Sequence, residues 1–135
     1  MKNIMFCSCG RRVQLFKFLK ESLGDSCKII ATDVQSIAPA LYAADEHYLT
    51  PCIDAPNYVD TILKIAIDND VKAITTLIDP EIELLAKNRD LFEEHGIIVL
   101  APSKETAAYC FDKYKMFCYL KKNNIRTVLT YDTLE

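Results

Sequence analysis

The residues best suited to chemistry sit together near the start of the chain, in Ser8-Cys9-Gly10-Arg11-Arg12. They follow a continuous apolar run, Asn3 to Cys7, the pattern of a strand covered on both faces. Helical spacing begins immediately beyond, with Val13, Phe16, Leu19 and Leu23 on one face and Gly24 as its stop. A strand running through a tight turn into a helix points unpaired N–H groups and a partial positive charge at whatever lies beyond the turn. An arginine there adds a forked donor for a carboxylate or phosphate. Two arginines at a helix N-terminus oppose its dipole, so at least one of them is expected to serve an anion. A dinucleotide fingerprint needs G-x-G-x-x-G, and only Gly10 is present. Asp33 stands about twenty residues on, where a ribose-binding acid would be, but an aspartate closing a strand is common.

Cys7 and Cys9 form a Cys-x-Cys pair, yet no second Cys/His pair at zinc spacing accompanies them. Packing is the favoured reading for both, with Cys9 exposed in the turn and its thiol open to activation by the helix start. His47 and His95 have no acid or nucleophile at motif spacing, and His95 suits a helix C-terminus. Asp79, Glu81 and Glu83 surround Pro80 at the start of another helical pattern, where Asp79 is the expected cap and the glutamates complement the dipole. Asp79 and Glu81 are also expected to project towards a crevice. Tyr109, Tyr114, Phe117 and Tyr119 read as core or interface.

The elements that position these residues alternate. Strands are expected at 3–7, 28–32, 47–50, 72–77 and 97–100, and helices at 11–23, 56–69 and 79–95. Ser103 caps a further helix to Phe111 and Asp112 another to Lys122, and the tail from Val128 starts like one more strand. Such alternation implies an α/β fold, a Rossmann-like, doubly wound parallel sheet of about five strands with helices on both faces. In that architecture ligands bind beyond the carboxyl ends of the strands. This gathers Gly10, Arg11 and Arg12 after the first strand, Asp33 after the second, Asp79 and Glu81 after the fourth and Ser103 after the fifth.

Composition narrows the function. The chain has 135 residues, half of them apolar, and a net charge of −3 from 16 basic and 19 acidic side chains. No basic run marks a nucleic-acid surface. The N-terminal apolar run is too short for a signal peptide, and no stretch approaches the ~18–20 residues of a membrane span. Six cysteines, mostly in apolar stretches, fit reduced thiols in a cytoplasmic protein.

Several separate segments then agree in order and spacing with one family. NIMFCSCGRR, APALYAAD, DPEI and FDKY strongly resemble the N-terminal part of ATP-grasp enzymes, and most of all short single-chain proteins similar to the carbamoyl-phosphate synthase large subunit. The resemblance implies a pre-ATP-grasp domain over residues 1–111. It implies a linker helix and first strand over 112–135, leading to an ATP-grasp domain that this chain lacks. It also implies ATP and Mg2+ as cofactors of the complete enzyme, a carboxylate activated as an acyl phosphate, and an amine or other nucleophile as acceptor. By position, Lys113 matches the basic residue that contacts ATP, Glu81 an acid facing the substrate side, and Arg11 and Arg12 a substrate anchor. Where relatives have G-I-P-T-P, this chain has Asn124-Ile125-Arg126-Thr127-Val128. The fragment alone is expected to bind ligands weakly and to catalyse nothing. A homodimer through the tail strand or helix 112–122 is a further expectation. The alternative is a non-catalytic nucleotide- or effector-binding regulatory module of the same fold.

Overall fold

The computed structural model describes residues 2 to 133. Five strands, β1 (Asn3–Cys7), β2 (Ile29–Asp33), β3 (Glu46–Leu49), β4 (Val71–Thr76) and β5 (Ile98–Val99), form one parallel sheet in the order β3-β2-β1-β4-β5. The helices are α1 (Val13–Leu23), α2 (Tyr58–Asp68), α3 (Asp79–Lys87), α4 (Arg89–Glu93), α5 (Lys104–Phe111) and α6 (Lys113–Lys122). A 3-10 turn at Leu41–Ala43 lies between β2 and β3.

Alternate residues of the central strands feed two cores, as a pleated strand buried on both faces requires. Met5, Cys7, Ile30, Ile74 and Val99 pack against Tyr58, Ile62 and Ala66 of α2, Leu85 of α3 and Phe92 of α4. On the opposite face Phe6, Ile29 and Ala31 pack against Phe16 of α1, with the Phe6 and Phe16 rings 5.1 Å apart. The doubly wound sheet is therefore present, with α1 on one face and α2 to α4 on the other. The α1 face is incompletely covered: Ile98 and Leu100, at the β5 edge, remain 59% and 50% exposed.

Several local expectations need correction. α1 begins at Val13, with Arg12 at its N-cap position and no side-chain cap, because Gly10 (φ 54) is still turning the chain. Asp79 is the first residue of α3 and does not cap it; Ile78, in extended conformation, holds the cap position. The single helix expected over 79–95 is two, broken at Asn88. Its amide side chain donates to Leu84 O at 2.8 Å, and the neighbouring Arg89 guanidinium reaches Val99 O at 2.8 Å and Ala101 O at 2.6 Å. Arg89 thus ties the helix break to the end of β5. The tail forms no strand over its described residues, and Val128, Leu129 and Tyr131 are 79%, 67% and 73% exposed. It lies beside no strand of the sheet among the described residues. Leu134 and Glu135 lie outside the described residues.

The two expected caps of the last helices form. Ser103 Oγ accepts from Thr106 N at 3.2 Å, and Asp112 Oδ1 accepts from Tyr114 N at 3.1 Å and Lys115 N at 3.0 Å. The Asp112 carboxyl is held below its ordinary value, first by the Lys115 backbone N–H and then by the Lys115 side chain. The folded value lies below the unfolded one of about 3.9, so the cap contributes fully above that pH and is lost as pH falls through the folded value. The amide resonances of Tyr114 and Lys115 should therefore move together on acidification, while that of Thr106, capped by a neutral hydroxyl, stays still. A common midpoint for all three would assign the change to general acid loosening.

Candidate functional site

β1 is hydrogen-bonded to β2 on one side and β4 on the other, so the chain winds away from it in both directions and the loops after β1 and β4 diverge. A crevice of about 360 Å3 opens at this carboxyl edge. Ser8, Gly10 and Arg12 come to it from the β1–α1 loop, Asp33 and Gln35 from the end of β2, Thr50 to Asp54 from the loop after β3, and Tyr58 and Ile78 from the starts of α2 and α3.

The β1–α1 turn is built by its own backbone. Ser8 (φ 47) and Gly10 (φ 54) both take left-handed conformations, which fold the chain back on itself directly after the strand. Cys9 N–H donates to Thr32 O at 3.1 Å, Gly10 N–H to Asp33 Oδ2 at 2.8 Å, and Arg12 N–H to Cys9 O at 3.3 Å, while Gly10 O accepts from Ala40 N at 3.1 Å. The N–H groups of Cys9, Gly10 and Arg12 are thus bound within the protein. Asp33 is likewise engaged: its other oxygen accepts from Gln35 N at 2.9 Å, and the side chain is nearly buried. It clamps the turn, and the place of a ribose acid is filled by a structural carboxylate. A side chain at Gly10 would meet Arg12 Nη1 at 3.4 Å in a backbone conformation that already disfavours one.

Arg12 and Arg11 separate. Arg12 crosses the crevice mouth and donates from Nη2 to Leu77 O at 2.8 Å, joining the loops after β1 and β4, with its remaining N–H groups facing solvent. Arg11 is exposed and does not line the crevice.

The acids divide too. Asp79 is exposed on α3, its carboxylate 3.9 Å from Lys113 Nζ. Lys113 also donates to Cys110 O at 2.7 Å, at the junction of α5 and α6 and away from the crevice lining. Glu81, expected to project into the crevice, is fully buried; it accepts from the hydroxyls of Tyr58 and Thr76. Cys9, expected to be exposed, is buried, and its thiol donates to Asp33 Oδ2 at 3.9 Å. Burial, and then the Asp33 charge, push it up to about 12. Burial and the Glu81 charge raise Cys7 as well. Neither thiol is an activated nucleophile.

Sequence reading overlooked the Thr50 to Asp54 wall and Tyr58. The rule that placed the other groups, that ligands lie beyond strand ends, applies equally to β3 and would have found the wall. Tyr58 gave no separate signal, being one more apolar-face residue of α2.

The arrangement defines a Rossmann-like α/β domain with a crevice at its topological switch point. Among solved structures it matches the biotin carboxylase subunit of pyruvate carboxylase at 22% identity (TM-score 0.67, 98% of this chain and 30% of that one). It also matches glycinamide-RNase-transformylase T from Mycobacterium tuberculosis at 14% identity (TM-score 0.66, 90% and 35%). N5-carboxyaminoimidazole synthetase from Staphylococcus aureus matches at 16% identity (TM-score 0.64, 90% and 30%). This is the fold of the pre-ATP-grasp domain of biotin carboxylase. The chain spans about a third of the length of each of these structures. A comparison with curated proteins gives no match. Residues 4–100 match the family described as PylC-like, N-terminal domain, and the chain belongs to that family.

Two outcomes test the site. Alkylation of the folded protein should label Cys52, Cys110 and Cys118, which are exposed, and spare Cys7 and Cys9 until it is denatured; mass spectrometry of the labelled peptides reads this directly. Asp33→Ala should destabilise by about 1–3 kcal/mol in urea denaturation, chiefly through the orphaned Gly10 N–H. An unchanged midpoint would deny the clamp.

Proposed function

We propose that this chain is the substrate-side N-terminal domain of an ATP-grasp ligase, of the kind similar to the carbamoyl-phosphate synthase large subunit. The observation that carries the reading is that the family match, residues 4–100, contains every residue lining the crevice. In the complete enzyme the crevice forms one wall of the active cleft, and a separate ATP-grasp domain, joined through residues 112–135, forms the other. A carboxylate is activated there as an acyl phosphate, and an amine or other nucleophile then displaces the phosphate.

Arg12 is the residue of this chain best placed to hold a substrate anion. Its guanidinium is anchored through one N–H to Leu77 O and keeps further donors for a carboxylate or phosphate. Gly10, Asp33, Asp79 and Glu81 take supporting places: Gly10 and Asp33 shape the turn, Asp79 pairs with Lys113, and Glu81 is buried behind Tyr58, while Arg11 stays exposed outside the crevice.

The biotin carboxylase domain of Hydrogenobacter thermophilus 2-oxoglutarate carboxylase is described with MgADP and bicarbonate, in keeping with ATP and Mg2+ as the cofactors here. This chain fits them only in part. Lys113, 73% exposed, could reach a nucleotide phosphate from the linker helix. Among the described residues no three His, Cys, Asp or Glu side chains gather as a metal requires. The nucleotide and metal are therefore assigned mainly to the ATP-grasp domain.

Calorimetric titration of this chain with Mg·ATP should show no tight binding. In a polypeptide carrying both domains, Arg12→Ala should raise the KM of the acceptor or carboxylate about tenfold while leaving that of ATP within about twofold. Tight binding of Mg·ATP to the fragment, or an Arg12→Ala enzyme with both KM values unchanged, would overturn the assignment.

A further inference from the structure

Glu81 is the most conspicuous side chain that the crevice leaves unused. Its carboxylate is fully buried, and no Lys, Arg or His pairs with it among the described residues. Its partners are two neutral hydroxyls, one on each oxygen: Tyr58 on Oε1 and Thr76 on Oε2. A buried carboxylate without a cation is an expensive way to fill space, since burial strips it of water and only two hydroxyls replace it.

The three bonded residues lie on the elements that make the crevice. Tyr58 opens α2 and ends the loop whose Thr50 to Asp54 segment forms one wall. Thr76 closes β4; next to it the Leu77 carbonyl anchors Arg12, and Ile78 lines the opposite wall. Glu81 stands in the first turn of α3, directly after that wall. One carboxylate therefore ties both walls together from below, and through Leu77 it also bears on where Arg12 stands.

We infer that Glu81 is a positioning residue that sets the separation of the two crevice walls, acting through Tyr58 and Thr76 and touching no ligand. This rests on reading the crevice as the substrate side of a ligase, yet its test does not use ligase activity. Cys52, exposed on the Thr50 to Asp54 wall, is the built-in reporter, with Cys110 and Cys118 on α5 and α6 as internal controls.

The experiment compares iodoacetamide labelling of the full 135-residue chain with its Glu81→Met, Glu81→Gln and Tyr58→Phe variants, with thermal melting alongside. Glu81→Met, which orphans the buried Tyr58 and Thr76 hydroxyls, should lower the melting temperature and change the Cys52 rate by about threefold or more, with Cys110 and Cys118 unmoved. Glu81→Gln retains an acceptor and a polar partner, and should return the Cys52 rate to within about twofold of the parent. Tyr58→Phe, which keeps the ring and removes only the hydroxyl, should shift Cys52 in the same sense as Glu81→Met. It decides the question alone should Glu81→Met not fold. An unaltered Cys52 rate in a folded Glu81→Met or Tyr58→Phe protein overturns the inference, as does a change shared equally by all three cysteines. A Cys52 result as expected, together with an Arg12→Ala ligase of unchanged kinetics, would retain the positioning role and discard the ligase reading.

Discussion

The structure depends on β1 being hydrogen-bonded along both edges. A strand in the middle of a parallel sheet has no free edge, so the chain must leave it over one face and return to its other side over the opposite face. α1 takes the first route to β2, and α2 brings the chain back from β3 to β4. The two connections part at the carboxyl end of β1, and the gap between them is the crevice. Parallel order and strand succession thus decide where a ligand can enter before any particular side chain is considered.

What that gap can hold depends on which polar groups the fold has already used. The turn after β1 employs the N–H groups of Cys9, Gly10 and Arg12 and both oxygens of Asp33 to hold its own shape. A dinucleotide-binding turn leaves such amides open and spends extra glycines so that a pyrophosphate can come close. Here one glycine meets the left-handed requirement at position 10, Ser8 accepts the other, and three N–H groups of the turn are already committed within the protein. On the function proposed for this chain, recognition falls instead to a side chain, Arg12, which reaches across the opening. Replacing backbone by side-chain recognition suits a site that must take a carboxylate or other small anion, because the guanidinium fork matches such a group with no close approach of the main chain.

Much of this was legible in the sequence. Continuous apolar runs of four to six residues marked the buried strands, and 3.6-residue periodicity with glycine or serine punctuation marked the helices. The rule of strand ends then brought Gly10, Arg12 and Asp33 to one place. The failures share a cause, which is that pattern reports which way a residue is inclined to face and not what it finds there. Asp79 has the right type for a cap but lies one residue late. Asn88 broke a helix whose periodicity continued through it, since Arg89 was drawn to carbonyls at the end of β5. Cys9 looked exposed because turns usually are, yet Asp33 folds the turn inward over it. The tail had the composition of a strand, but a strand is a property of two segments, and among the described residues no second segment lies beside it.

Glu81 shows the same limit at its sharpest. A glutamate in the first helical turn after Asp-Pro is fully accounted for by the helix dipole, so nothing in the sequence asks for more. In the folded chain the side chain turns inward from that helix start and is buried. Two hydroxyl donors stand in for the water that burial removes, which offsets part of the desolvation without any cation. Such an arrangement confers geometry more than stability. A carboxylate receiving one donor on each oxygen fixes the separation of those donors, while an apolar side chain would let the same elements slide. A polar group kept where packing would favour an apolar one therefore points to a distance that has to be held, and the distance here is the one between the walls of the crevice.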